Sequence, residues 1–122
     1  IPIFNGFSAR NSVKRAKINL ERSKNSLDQQ KLDLESTINQ AYNDTRGAYK
    51  FYEASQKTVK SRKIAFDNTQ NRFRAGAMNS FDYVQAKQRY EQSLSDLIRA
   101  KFDYIFKLKV VEFYFGIPLE IK

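Results

Sequence analysis

The sequence predicts an all-α protein: a long antiparallel helical hairpin of coiled-coil character. Apolar residues recur three and four apart along nearly the whole chain, the spacing of a helical face. Helix breakers are scarce, with four glycines and two prolines in 122 residues. One of those glycines, Gly76, stands inside the stretch Arg72-Phe-Arg-Ala-Gly-Ala-Met-Asn-Ser-Phe-Asp-Tyr83. Glycine can take the positive φ that lets a helix stop. Asn79-Ser80 can cap the next helix, and Asp82 falls in its first turn, where the helix dipole favours a carboxylate.

In chain order, Ile1–Phe4 is short and β-like, and Asn5-Gly6 is a turn signal, so residues 1–7 are expected as the end of a strand and a turn. Ser8 can cap a helix over 8–72. Its first half carries a heptad stripe at Val13, Leu20, Leu27 and Leu34, with Ala16 and Ser23 between. The stripe then shifts to Ile38, Ala41, Thr45, Ala48, Tyr52, Val59, Phe66 and Phe73. Large and small residues alternating at this spacing make a coiled-coil-like seam. Gly47 inside the helix costs about 1 kcal/mol relative to alanine and marks either tolerated flexibility or close approach of a neighbouring helix. The tip is expected at 73–79 and a returning helix at 80–116, striped at Tyr83, Lys87, Tyr90, Leu94, Leu97, Lys101, Tyr104, Leu108, Val111 and Phe115. Towards its end Phe102, Ile105, Phe106, Val110, Phe113 and Tyr114 make nearly every face apolar, the pattern of a helix covered on several sides. Gly116 at the C′ position and Pro118 just beyond form a stop, followed by a tail over 117–122.

The two helices differ in length, and that mismatch has a consequence. Reversal near residue 76 puts Phe115 close to Ile38. The Val13–Leu34 stripe then has no partner within the chain. Leaving it in water is unfavourable, since each buried aliphatic side chain contributes about 1.5–3 kcal/mol. The isolated chain is therefore expected to self-associate through this stripe, most simply as an antiparallel dimer.

Composition narrows the chemistry. Histidine and cysteine are absent, which excludes Ser-His-Asp and Cys-His nucleophile pairs and disulfides. The carboxylates fall on helix exteriors with no cleft to perturb them, and no metal site is expected. No Gly-rich phosphate loop or EF-hand pattern occurs, so no cofactor is expected and the chain does not read as an enzyme. The net charge of +9 comes from lysines and arginines scattered among acids and amides, the pattern of solvated helix faces. It forms no basic stripe of the kind nucleic acid requires. Ten phenylalanines and seven tyrosines lie at seam spacing, which favours packing over base stacking. No apolar run approaches the roughly 20 residues of a membrane span. The chain opens on Ile1-Pro-Ile-Phe without an initiator methionine, as a piece of something larger would.

Several segments, in order, resemble the TolC-like outer membrane efflux proteins. Ile1-Pro-Ile-Phe-Asn-Gly-Phe-Ser-Ala-Arg is similar to the hydrophobic-Pro-Leu-Phe-Asp-Gly-Gly segment that leads there from a barrel strand into a long periplasmic helix. Ala41-Tyr42 resembles an Ala-Tyr pair midway along that helix. Arg72-Phe-Arg-Ala-Gly76, with Asp82 and Ala86 beyond, resembles the tip motif Arg-Tyr-x-x-Gly…Asp-x-x-x-Ala. Phe115-Gly116 resembles the Leu-Gly that ends the returning helix.

The resemblance implies a fragment of an α-barrel: the helical hairpin of one strand–helix repeat, the second by its terminal-looking tail. The whole protein would be a homotrimeric channel in the cell outer membrane, with this segment in the periplasm. It would serve a tripartite efflux or type I secretion system with a periplasmic adaptor protein and an inner-membrane pump. Phe73, Ala75, Gly76, Ala77 and Met78 would form the adaptor-docking tip. Asp82 would line the tunnel entrance, with Gln85 where some members carry a second acid. Phe73 and Met78 stand where some members place Tyr and Arg, so a polar lock at the aperture is not expected on this repeat. The competing class is a structural or adaptor coiled-coil hairpin unrelated to transport. It accounts for the heptads and the charge but not for the opening segment or the aromatic end of the second helix.

Overall fold

The structure, a computed structural model, describes residues 6–118. Two helices account for nearly all of them: α1, Gly6–Arg74, and α2, Ser80–Tyr114. No strand occurs among the described residues. The β-like segment expected at Ile1–Phe4 and the end of the tail lie outside them. Ser8, expected as a cap, sits inside the first turn of α1 because the helix already includes Gly6.

The chain divides into two units, residues 1–39 and 40–122. In the first, every residue from Phe7 to Thr37 is exposed, including Val13, Leu20, Leu27 and Leu34 at 52–55%. The unit holds itself together by helix-local pairs such as Lys24 with Glu21 and Gln29 with Asp33. Its heptad stripe is uncovered by the chain, as the spacing implies.

In the second unit, residues 40–74 of α1 pack against α2 in antiparallel fashion. Three ring pairs set the register. Tyr52 stacks on Tyr104 at 6.3 Å, Phe66 on Tyr90 at 5.7 Å and Phe73 on Tyr83 at 4.7 Å between centroids. Each pair lies symmetrically about residue 78. The hairpin therefore turns on Met78 rather than Gly76, and Phe115 comes level with Ala41 instead of Ile38. The difference arises because the connection is asymmetric: the glycine ends α1, and three more residues pass before α2 begins.

The seam of α2 also departs from expectation. Ser93 and Ala100 are buried and Ala86 half-buried, while Lys87 and Lys101 are exposed. Leu94 and Leu108 are half-buried flanks, and Phe115 is 68% exposed. The working heptad thus runs through Tyr83, Ala86, Tyr90, Ser93, Leu97, Ala100, Tyr104 and Val111. The opposing row of α1 includes buried Thr45, Ala48 and Ser55. Sequence spacing favours the bulky candidate at each step. The structure instead takes the small residue on the three-residue step, because only a small side chain lets the backbones approach.

Three of those small residues carry hydroxyls, and each donates within its own helix: Thr45 to Ala41 O, Ser55 to Phe51 O and Ser93 to Tyr90 O. Burial therefore leaves no hydroxyl unsatisfied. The ion pairs of the unit likewise join residues three or four apart on one helix. Around Glu53, a hydrogen bond from Lys50 and the charges of Lys50 and Lys57 hold the carboxylate below its usual range. What joins α1 to α2 is ring stacking and apolar contact, with each aromatic pair contributing about 0.5–1.5 kcal/mol beyond its buried area.

Gly47 is exposed, and a Cβ built there would meet nothing within 4 Å. No helix of this chain crowds it, so the residue costs helix propensity without a packing return inside the hairpin. Gly47→Ala is accordingly expected to stabilise the isolated chain by about 1 kcal/mol, read as a higher midpoint in denaturant followed by circular dichroism. An unchanged or lower midpoint would point to a packing role for the glycine.

Candidate functional site

The tip is built by two capping devices within residues 75–79, which join the helices. Gly76 takes φ +70°, Ala77 N–H donates to Arg72 O at 2.9 Å, and Gly76 N–H donates to Phe73 O at 3.0 Å. This paired arrangement is a Schellman C-cap with glycine at C′. A Cβ at Gly76 would meet nothing within 4 Å, so the left-handed backbone requires the glycine, not crowding. On the other side Asn79 is the N-cap, its backbone extended and its Oδ1 accepting from Asp82 N–H at 2.8 Å. Asp82 is the acid of the first turn of α2, where the unpaired N–H groups and the dipole favour its charge.

The expected tip residues separate into three groups. Ala75, Gly76 and Ala77 form an exposed apex with almost no side chain. Phe73 belongs to the seam, its ring stacked on Tyr83. Met78 is half-buried and turns into a groove on one face of the hairpin, which it lines with Asp82, Gln85, Arg89 and Arg62. The two residues expected at a tunnel entrance therefore share one surface. Phe73, although stacked on Tyr83, stays 38% exposed beside the apex.

On the same face a larger groove of about 750 Å³ extends away from the tip past Gln85, Arg89, Gln92, Ser93 and Asp96. Arg62 also lines it. Sequence reasoning passed over Arg62 and Arg89 among the scattered cations. A signal for Arg62 was present: it lies three residues after Val59 and four before Phe66, a seam position. No group of acids, histidines or cysteines among the described residues could hold a metal ion. No described helix is long and apolar enough to cross a membrane, which leaves a β-barrel untouched as a question.

The capping geometry makes a specific expectation. Gly76→Ala and Asn79→Ala should each destabilise the hairpin by about 1 kcal/mol, while Gly76→Asn, which tolerates the left-handed region, should cost less. Thermal unfolding followed at 222 nm checks the ranking, and equal effects of Gly76→Ala and Gly76→Asn would contradict it.

Comparison with known proteins agrees with this architecture. The chain is 24% identical over 117 residues to the alkaline protease secretion protein AprF of Pseudomonas aeruginosa. The match covers 96% of this chain and 24% of AprF, so the chain spans about a quarter of that relative's length. No solved structure matches. The family model described as "Outer membrane efflux protein" matches residues 1–107, which takes in α1, the capped tip and most of α2. With a family match over that span, the chain belongs to the outer membrane efflux protein family.

Proposed function

We propose that this chain is the periplasmic hairpin of a trimeric outer membrane channel that serves a tripartite efflux or type I secretion system. The family match over residues 1–107 carries the reading, and it displaces a coiled coil unrelated to transport. Similarity to a protease secretion protein supports the secretion variety alongside efflux.

In this reading the apex Ala75-Gly76-Ala77 is where a periplasmic adaptor protein docks, itself joined to an inner-membrane pump. A surface of two alanines and a glycine lets a partner's backbone come close, which suits a helix-to-helix contact. Met78 and Phe73 flank that apex, one towards the groove and one on the seam. Asp82 and Gln85 line the tunnel entrance, where three copies of the Asp82 carboxylate attract cations. The long uncovered face of residues 7–37 and the exposed rings of Phe102, Phe106 and Phe113 are covered by other parts of the assembled channel.

Docking is tested in the full-length protein by comparing Gly76→Asn with Gly76→Glu. Both place a side chain at the apex, but asparagine preserves the cap. Gly76→Glu should abolish transport and tip-to-adaptor crosslinking at unchanged abundance in the membrane, with Gly76→Asn intermediate. Full transport with Gly76→Glu removes the docking assignment.

The isolated chain offers a separate check. With the Val13–Leu34 stripe exposed, it is expected to self-associate at tens of micromolar, measured by light scattering. A monomer whose first thirty residues stay helical would show that the stripe needs no cover.

A further inference from the structure

We propose that Arg62 and Arg89 form an anion-attracting band in the channel wall, about 10–16 Å beyond the Asp82 entrance, and that carboxylates of the transported molecule meet it there. The proposal rests on the reading of Asp82 as a lumen-facing residue and follows from what shares its face.

Asp82, Gln85, Arg89 and Arg62 line one groove, and that face continues through Gln92 to Asp96. Asp82, Arg89 and Asp96 are seven residues apart on α2, so they stack in one line about 10 Å from each other at 1.5 Å per residue. The opposite flank of α2 mixes apolar with charged residues: Val84 and Ile98 are exposed and Leu94 and Ile105 half-buried, with exposed Lys87 and Lys101 between them. Of the two flanks, the one polar throughout suits a water-filled lumen, and the one carrying the aliphatic residues suits packing against a neighbour.

Arg62 occupies a seam position at the level of Ser93, yet it remains exposed. The buried Ser93 takes up little volume and commits its hydroxyl to Tyr90 O at 2.6 Å. The arginine side chain leaves the seam and reaches the groove, as long cationic side chains do. Among the described residues neither Arg62 nor Arg89 has an ion pair. Two acids line the same groove: Asp96 accepts from Gln92 Nε2 at 2.9 Å, and Glu91 is paired with Lys87 at 3.7 Å.

Spacing decides whether neighbouring acids cancel the band. At physiological ionic strength charges are screened over about 8 Å, slightly less than the distance along α2 from Arg89 to Asp82 or Asp96. Arg62, at the level of Ser93, lies closer to Asp96. The stretch from Arg89 to Asp96 thus sets two arginines against Asp96, while Glu91 is neutralised by Lys87. A solute in the lumen therefore meets negative charge at the entrance and net positive charge beyond it. Two guanidinium groups per hairpin, repeated by three-fold symmetry, offer planar donor pairs matched to carboxylates.

The test uses the full-length channel in planar bilayers under a potassium chloride gradient, with oligoglutamate as the probe of carboxylate contact. The double variant Arg62→Gln/Arg89→Gln should raise the cation-to-anion permeability ratio roughly threefold at low salt and much less at 1 M, where screening is short-ranged. Block by oligoglutamate should weaken in the same variant. Arg62→Lys/Arg89→Lys should keep the selectivity but lose part of the block, because an ammonium lacks the planar donor fork. Since Gln variants could assemble poorly, Arg89→Cys recorded before and after a cationic thiol reagent restores charge in channels already formed, and selectivity must return with it.

Asp82→Asn separates the two readings. If it shifts selectivity and the arginine variants do not, the band is overturned and the luminal entrance stands. If neither shifts, the face is not luminal and both fall. A shift with the arginines alone upholds the band and leaves Asp82 as a helix-start acid. Block by free citrate as strong as by oligoglutamate would assign the band to carboxylates in general; block by the peptide alone would assign it to acidic polypeptide.

Discussion

The hairpin depends on an alternation of thick and thin layers along its antiparallel seam. Every seventh residue is large or branched on both helices: Thr45, Tyr52, Val59, Phe66 and Phe73 face Val111, Tyr104, Leu97, Tyr90 and Tyr83. Between them lie thin layers with Ala48, Ser55, Arg62 and Thr69 on one side and Lys107, Ala100, Ser93 and Ala86 on the other, small residues except for Lys107 and for Arg62, whose side chain leaves the seam. Rings alone would hold the backbones apart, and small residues alone would bury too little. In alternation, the small layers set the distance and the rings fill it. The cost is a meagre interior. No large side chain among the described residues is fully buried, and the buried apolar residues are Ala48, Ala100 and Val111. Such a hairpin is a structural part rather than a self-sufficient domain, consistent with a chain that matches a quarter of its relative.

Much of this was legible in the sequence. The all-α hairpin, the break at Gly76, the cap at Asn79 and the stop at Gly116 each follow from a residue with a narrow conformational role. Gly116 indeed takes φ +75°, with Ile117 N–H donating to Glu112 O at 3.0 Å. The α1 seam from Ala41 to Phe66 was legible too. On α2 the large layers at Tyr83, Tyr90, Leu97, Tyr104 and Val111 were legible but the small ones between them were not, because lysine and leucine at positions 87, 94, 101 and 108 mimic a stripe offset by one residue from the true one. Periodicity cannot choose between two adjacent stripes when the correct one is made of alanine and serine. Only the partner helix makes that choice.

The candidate site was legible in part. Asp82 and Gln85 do share a face, as expected of two residues three apart in a helix. The tip residues were grouped by proximity in sequence, and the structure gives them three environments: Ala75 to Ala77 at the apex, Phe73 on the seam and Met78 in the groove. Phe73 and Met78 lie on opposite sides of the break, where the chain stops being helical and neighbouring residues turn in different directions. Arg62 was hidden for a different reason: it is a charged residue at a core position, and its meaning depends on the small Ser93 across from it.

Because every buried hydroxyl of the seam is satisfied within its own helix, no polar bond between α1 and α2 records which layer belongs opposite which. The large layers are also spaced identically on both helices. Sliding one helix by a full heptad would again set large against large and small against small at nearly every level. The packing thus behaves like a rack with evenly cut teeth, which meshes equally well at more than one setting. The five residues between Arg74 and Ser80 are clamped by a glycine cap at one end and an asparagine cap at the other, so the slip would have to break those caps. The turn therefore works as the end-stop of the hairpin, holding Tyr83 against Phe73 and through that layer indexing every other one.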